Sequence, residues 1–460
     1  MDNAHLSPLH WKIWWLSAMG IFLDGFDLFI IGVGMPLIIK EFALTPYMVG
    51  ITGAAALLGA VAGALIGGAL SDRFGRKIVY IIDLLIFIIL SLFTAFSWNA
   101  ATLIIFRFLL GIGIGADYPI CAAYISSFMP AKIRGRMMIG AFSFQALGMA
   151  AAALTGLIIL KSFPHEYAWR LMLGFGAIPA AVIIIFRTTV PESARWFLWK
   201  GKHKEAADVI HMLVPSKKDE LHALAAKARG ISEEINAERV KLSALFSRRY
   251  LKRTLLTAVP WFLMDITTYA VGIFTPIILA SMAFSSQGLG TIAMDFKSTE
   301  GAAFLDIFLA AGFLLNIMLV EKWGRIRLQL FGFGGMAIGL LVIALSSIIP
   351  AGRAMTLSLI FSGFIIFNVL MNMGPNATTF ILAAELYPTK MRGAGHGFSA
   401  SVSKIGAALG IFLLPVFKAG FGMAFTLVTL AIISILAFMV TLLFRIETKG
   451  RSLEEINLMV

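Results

Sequence analysis

The chain has 460 residues, 59% of them hydrophobic and only 14% charged, with a mean hydropathy of +0.89. So few polar residues cannot cover a water-facing surface of that size, so lipid must solvate much of the chain; this excludes a soluble enzyme, a disordered protein and a secreted disulfide scaffold. The single cysteine, Cys121, lies outside any metal-binding spacing, and the net charge of +13 takes its meaning from where the basic residues fall.

Crossing the hydrocarbon core takes about 20 largely apolar residues in a helix. Twelve such runs are predicted, at 13–39, 48–70, 77–96, 101–127, 137–160, 168–189, 252–281, 301–320, 328–349, 354–384, 396–417 and 422–445. They are too long for barrel strands, so an all-α membrane protein is expected. The first run is too long and too acidic for a cleaved signal peptide and is read as a membrane span. Basic residues cluster in alternate connections: Arg73, Arg76 and Lys77 after span 2, Lys132, Arg134 and Arg136 after span 4, Lys322, Arg325 and Arg327 after span 8, and Lys390 with Arg392 after span 10. The other connections carry single lysines or arginines (Lys40, Lys161, Lys297, Arg353, Lys418). The positive-inside rule then puts both termini in the cytoplasm, and a basic face against anionic headgroups accounts for the charge without nucleic acid.

Residues 190–251 break the apolar pattern. Apolar positions at helical spacing (Ala206, Val209, Ile210, Leu213, then Leu221, Leu224, Ala225) predict short amphipathic helices on the cytoplasmic surface, linking a half at 1–189 to a half at 252–460. The halves repeat each other weakly. Asp72-Arg73-Phe-Gly75-Arg76 after span 2 has a degraded counterpart in Glu321-Lys-Trp-Gly324-Arg325 after span 8. Pro130-Ala-Lys-Ile-Arg134-Gly after span 4 corresponds to Pro388-Thr-Lys-Met-Arg392-Gly, and Pro191-Glu192-Ser-Ala-Arg195 after span 6 to Ile446-Glu447-Thr-Lys449-Gly. Parallel six-helix repeats can rock about a site at their interface, as alternating access requires.

An ionisable side chain in mid-span costs about 2.5–3.5 kcal/mol, so Asp24, Asp27, Asp117, Asp265 and Lys404 are functional candidates by default. Trp261, Asp265 and Tyr269 follow one another at i, i+4, which puts an indole N–H, a carboxylate and a phenol on one stripe of span 7. Tyr118 and Gln145 offer neutral polar contacts from the first half, and Asn376 does so beside Gly374-Pro375, where the missing amide of proline frees a carbonyl. His396 suits a capping or interface role. Gly111, Gly113 and Gly115 allow close helix approach and lack the lysine of a phosphate-binding loop. Neither a metal cluster nor a catalytic triad can be assembled, so no cofactor and no chemistry on the substrate are expected.

Gly68-Ala-Leu-Ser-Asp72-Arg73-Phe-Gly75-Arg76-Lys77 resembles the signature loop of the major facilitator superfamily at every fixed position. Arg107-Phe-Leu-Leu-Gly111-Ile-Gly113, Pro191-Glu192-Ser193 and Glu447-Thr-Lys-Gly extend the resemblance over essentially the whole chain. It implies a conformational latch between the halves built from Asp72, Arg73, Arg76, Arg134, Glu192, Glu321, Arg325, Arg392 and Glu447. A narrower resemblance is to the phosphate:proton symporter branch, through Gly115-Ala116-Asp117-Tyr118-Pro119, Trp261 to Tyr269, Gly374-Pro375-Asn376-Ala-Thr-Thr-Phe380 and Asp24-Gly-Phe-Asp27. That resemblance implies a substrate cage of Tyr118, Gln145, Trp261, Asp265, Tyr269 and Asn376, with Lys404 matching a lysine of the branch and Asp24, Asp27, Asp117 and Asp265 serving proton coupling. Ala116 in place of glycine, and Ser126-Ser127 where the branch has a serine–glutamate pair, depart from its pattern. The expectation is a monomeric proton symporter of inorganic phosphate in a plasma or bacterial inner membrane. A symporter of a small organic anion or sugar, or a non-transporting receptor on the same scaffold, are the alternatives.

Overall fold

The computed structural model describes residues 6–129, 134–192, 194–213, 242–283, 290–349, 352–387, 392–451 and 456. Side chains are described throughout these except at 68, 69, 71–73, 76, 118, 119, 122–124, 126, 127, 134, 135, 195, 198, 199, 213, 242, 353 and 392–394. Among the described residues the regular elements are all helices.

The first half contains α1 (Pro8–Phe42), α2 (Pro46–Phe74), α3 (Arg76–Ala95), α4 (Ala100–Phe128), α5 (Arg134–Phe142) with α6 (Phe144–Ser162), and α7 (Ala168–Phe175) with α8 (Ala177–Arg187). Two short helices follow, α9 (Ala194–Trp199) and α10 (His203–Leu213). The second half contains α11 (Leu251–Met282), α12 (Thr291–Trp323), α13 (Arg325–Leu345), α14 (Arg353–Met373) with α15 (Pro375–Glu385), and α16 (Arg392–Phe444). Eleven of these stretches are long and apolar enough to cross a membrane. The last of them, Gly395–Phe444, has 50 residues. At about 1.5 Å per residue that is more than twice a core of about 30 Å, and Gly422, with φ 82° and ψ 168°, divides it into spans 11 and 12. Exposed Ile158, Ile185, Leu314, Met318 and Leu443 face outward, as a lipid-solvated wall requires.

Three predicted spans are each interrupted. Span 5 breaks at Ser143, span 6 at Gly176 and span 10 at Gly374, ahead of Pro375. At the last break the carbonyl of Met373 accepts from Asn316 Nδ2 of α12 at 2.6 Å, so a backbone acceptor at the break is satisfied within the protein. Span 8 is longer than the apolar run 301–320 indicates. α12 begins at Thr291 because Asp295, Ser298 and Thr299 are buried against other helices, where hydropathy cannot register them as membrane-embedded. In the linking segment α10 buries Ala206 and Val209, as its periodicity predicts, whereas Leu221, Leu224 and Ala225 lie outside the described residues.

The ends of the two halves are built alike. Gly75 (φ 102°) and Gly324 (φ 89°) precede α3 and α13, each in a conformation that a side chain would strain. Glu192 Oε2 accepts from the amide of Lys77 at 2.8 Å, and Glu447 accepts from the amides of Arg325 and Ile326, both at 3.0 Å. A carboxylate on the open amides of a helix N-terminus is favourable on both hydrogen-bonding and dipole grounds.

Candidate functional site

α1 reaches the other helices because of a glycine between its two central acids. A Cβ on Gly25 would collide with the backbone of Gln145, so its absence lets α1 lie directly against α6. Asp24, Asp27 and Gln145 are thereby brought to one level, all buried.

Asp27 pairs with Arg107 of α4, Nη1 to Oδ2 at 2.8 Å, with the two side chains 0% and 1% exposed. Asp117 accepts from Arg187 of α8 at 3.0 Å. The same guanidinium reaches Asp83 at 3.2 Å and sits 3.4 Å from the ring centroid of Tyr80. Cys121 adds a thiol contact of 3.4 Å to Asp117. Asp24 differs from these. Its Oδ2 has no hydrogen-bond partner, and the residue lines a cavity. The first half thus buries four carboxyl groups, at 24, 27, 83 and 117, among two guanidinium groups, at 107 and 187. Arg107, Arg187 and Asp83 are additions to the residues singled out by sequence, although each is an ionisable residue inside an apolar run.

On the other side, Lys404 of α16 donates to the hydroxyl of Tyr269 at 2.8 Å and lies 4.0 Å from Asp265. Gln145 Nε2 donates to the same Tyr269 hydroxyl at 3.2 Å, which makes a continuous chain Gln145–Tyr269–Lys404 from one half to the other. With its oxygen already accepting twice, the phenol keeps its own proton to donate. Phe29 stacks on Tyr269 at 5.9 Å between centroids.

Two cavities meet at this chain, since Gln145 and Tyr269 line both. The first is also lined by Thr268, Asp306, Asn372 and Asn376, the second by Asp24, His396 and Lys404. Asn376 donates to Asn372 Oδ1 at 2.7 Å, and Asn372 to the carbonyl of Asn368 at 2.9 Å, so span 10 presents a ladder of amides of which the sequence reading picked out only one member. Aromatic contacts join the halves on either side of this level: Phe142 stacks on Phe380 at 5.1 Å, and Tyr47 meets Phe412 edge-on at 5.3 Å.

The structure therefore brings together Gln145, Tyr269, Asn376 and Lys404 around connected space. It sets Trp261 and Asp265 back from that space. Trp261 packs edge-on against Phe380 and His396, at 6.2 and 5.8 Å, and lines neither cavity. Asp265 is 2% exposed behind Lys404. Of the cage inferred from sequence, these two stand behind the lining, since an i, i+4 stripe on a buried helix extends past the width of the cavity. The side chain of Tyr118 lies outside the described ones.

Four residues of the expected latch have described side chains. Glu192 holds the start of α3, and Glu447 the start of α13; Arg325 pairs with Glu321 at 3.0 Å and Glu385 at 3.1 Å. These bonds join helices of the same half. The side chains of Asp72, Arg73, Arg76, Arg134 and Arg392 lie outside the described ones. Among the described residues there is no grouping of three or more metal-ligating side chains.

Residues 14–460 match the family model described as "Sugar (and other) transporter". A putative inorganic phosphate transporter 1-13 of Oryza sativa subsp. japonica is 32% identical, over 99% of this chain and 92% of its own length. The inner membrane metabolite transport protein YgcS of Escherichia coli (strain K12) is 31% identical, over 98% and 94%. Among solved structures, the major facilitator superfamily proton:xylose symporter XylE of E. coli superposes with a TM-score of 0.77 at 21% identity, over 98% of this chain and 99% of that one.

Proposed function

The chain belongs to the sugar (and other) transporter family of the major facilitator superfamily, and on that premise we propose that it is a proton-coupled symporter that imports inorganic phosphate by alternating access. The observation that carries the reading is the chain Gln145–Tyr269–Lys404, which spans the two halves where the two cavities meet. An ammonium group, a phenol with a proton to give and primary amides are donors, and an oxyanion is what such a set can hold. The full-length relative named as a phosphate transporter supports the same substrate.

Substrate oxygens taking up these donors would replace hydrogen bonds that now tie the halves together. Binding is thereby linked to the rocking of 1–189 against 252–460, with 190–251 as the link. The proton enters through the first half. Four carboxyl groups around two guanidinium groups leave a surplus of negative charge that low-dielectric surroundings penalise, and each bound proton lowers it by one. Asp24 faces the second cavity without a counter-ion of its own, so it is the group that loads first; Asp27 and Asp117 pass the change to Arg107 and Arg187. The cell membrane involved is the plasma membrane or bacterial inner membrane, with both termini cytoplasmic, and a single copy of the chain carries the whole path.

The amide ladder Asn368–Asn372–Asn376 favours a second reading, since amides donate to and accept from sugar hydroxyls equally well. Purified protein in liposomes, offered labelled phosphate, xylose and small carboxylates in turn, separates the two. Phosphate uptake that excess xylose leaves unchanged is expected. Robust uptake of xylose or a carboxylate without phosphate uptake would replace this assignment by the alternative.

A further inference from the structure

Asp306 lies near the middle of α12 and lines the first cavity together with Gln145, Tyr269, Asn372 and Asn376. Among the described residues it forms no hydrogen bond or ion pair. A carboxyl group at that depth is costly to keep without a partner. The other acidic residues at this level are differently placed. Asp265 is set back beside Lys404, Asp27 is held by Arg107, and Asp24 opens on the second cavity. Among the described residues, Asp306 is the acidic residue that lines the first cavity with Gln145, Tyr269, Asn372 and Asn376.

Resting on phosphate as the substrate, we propose that Asp306 is a substrate contact that sets anion specificity, by sharing one proton with a phosphate oxygen. Near neutral pH inorganic phosphate still carries a P–OH, which donates to the Asp306 carboxylate while Gln145, Tyr269 and Asn376 donate to the remaining oxygens. Sulfate at the same pH has no proton to give. It sets oxygen against oxygen at Asp306, and a buried polar group left facing its own kind is the strongest basis for rejecting a ligand of equal size. An amide at this position donates an N–H to either anion and removes the distinction.

The test is competition of labelled phosphate uptake by excess sulfate, in proteoliposomes of the full chain and of Asp306→Asn, Asp306→Ser and Asp265→Asn. Sulfate is expected to leave wild-type uptake unchanged, to compete in Asp306→Asn and Asp306→Ser with the phosphate preference reduced by about tenfold or more, and not to compete in Asp265→Asn. Selectivity is a ratio measured on whatever protein reaches the membrane, so partial loss of folding does not move it. Phosphate uptake with sulfate excluded equally from wild type and both Asp306 variants would overturn the role of Asp306 and leave phosphate transport standing. Absence of phosphate uptake by the wild type would overturn the substrate reading itself.

Discussion

Asp24 and Asp27 sit three residues apart on one helix, yet their surroundings lead to different expectations on substitution. Asp27 is the partner of a guanidinium with no exposure to solvent, so Asp27→Asn leaves Arg107 as a buried charge without its counter-ion. Loss of one member of a buried pair costs about 3–5 kcal/mol. Asp24→Asn removes no ion pair and should cost under about 1 kcal/mol. Both are expected to abolish accumulation of substrate against its gradient, but thermal denaturation should separate them, with a large fall in Tm for Asp27→Asn only. Equal stability of the two variants would show that the Arg107 pair is not the one that holds α1 to α4, and accumulation by Asp24→Asn at the wild-type rate would remove it from the proton path. The candidate acids were legible in the sequence because a charge inside an apolar run is conspicuous by its cost. Their partners were not, since Asp27 meets Arg107 and Asp117 meets Arg187 across 80 and 70 residues of chain, a distance over which composition and spacing carry no signal. Asp306 carried the same cost signal as Asp24, but no motif drew attention to it.

At the level of helices, the apolar runs located the spans well wherever a span packs by hydrophobic contact, and less well where polar groups are buried within the protein. The extra ten residues of α12 ahead of Gly301 are one case; the break in span 10 is another. The Gly374-Pro375 pair announces the break, but not that Asn316 of α12 covers the Met373 carbonyl there. Asn316→Ala should therefore lower stability by about 1–2 kcal/mol, the value of an interhelical hydrogen bond to a buried acceptor. Denaturation of the purified protein checks this, and unchanged stability would mean that the Met373 carbonyl finds another donor. The glutamates at the ends of the two halves make a different kind of prediction. Glu447 caps α13 through two amides far from the cavities, so Glu447→Gln is expected to slow transport several-fold while equilibrium phosphate affinity stays within about threefold, because it changes the energy difference between conformations and not the contacts of the ligand. Loss of phosphate binding by a folded Glu447→Gln protein would contradict that separation.

In the whole molecule, the weak repeat between the halves becomes visible as two glutamate-capped helices, each following a glycine of positive φ. Among the contacts that join the halves, three lie at successive levels: Phe142 with Phe380, the chain through Tyr269, and Tyr47 with Phe412. Rocking must open one aromatic contact while keeping the other, and only the middle level is built from groups that a substrate can replace. Proton-coupled phosphate import requires that occupancy of this level and protonation of the first half act together. The most direct measurement is phosphate uptake into proteoliposomes containing the purified protein, with an inward proton gradient imposed, with none, and with the gradient collapsed by a protonophore. Accumulation of phosphate above the external concentration only while the gradient persists, accompanied by alkalinisation of the external medium, is the expected result. Equilibration to equal concentrations regardless of the gradient, or no entry of phosphate under any of the three conditions, would contradict it.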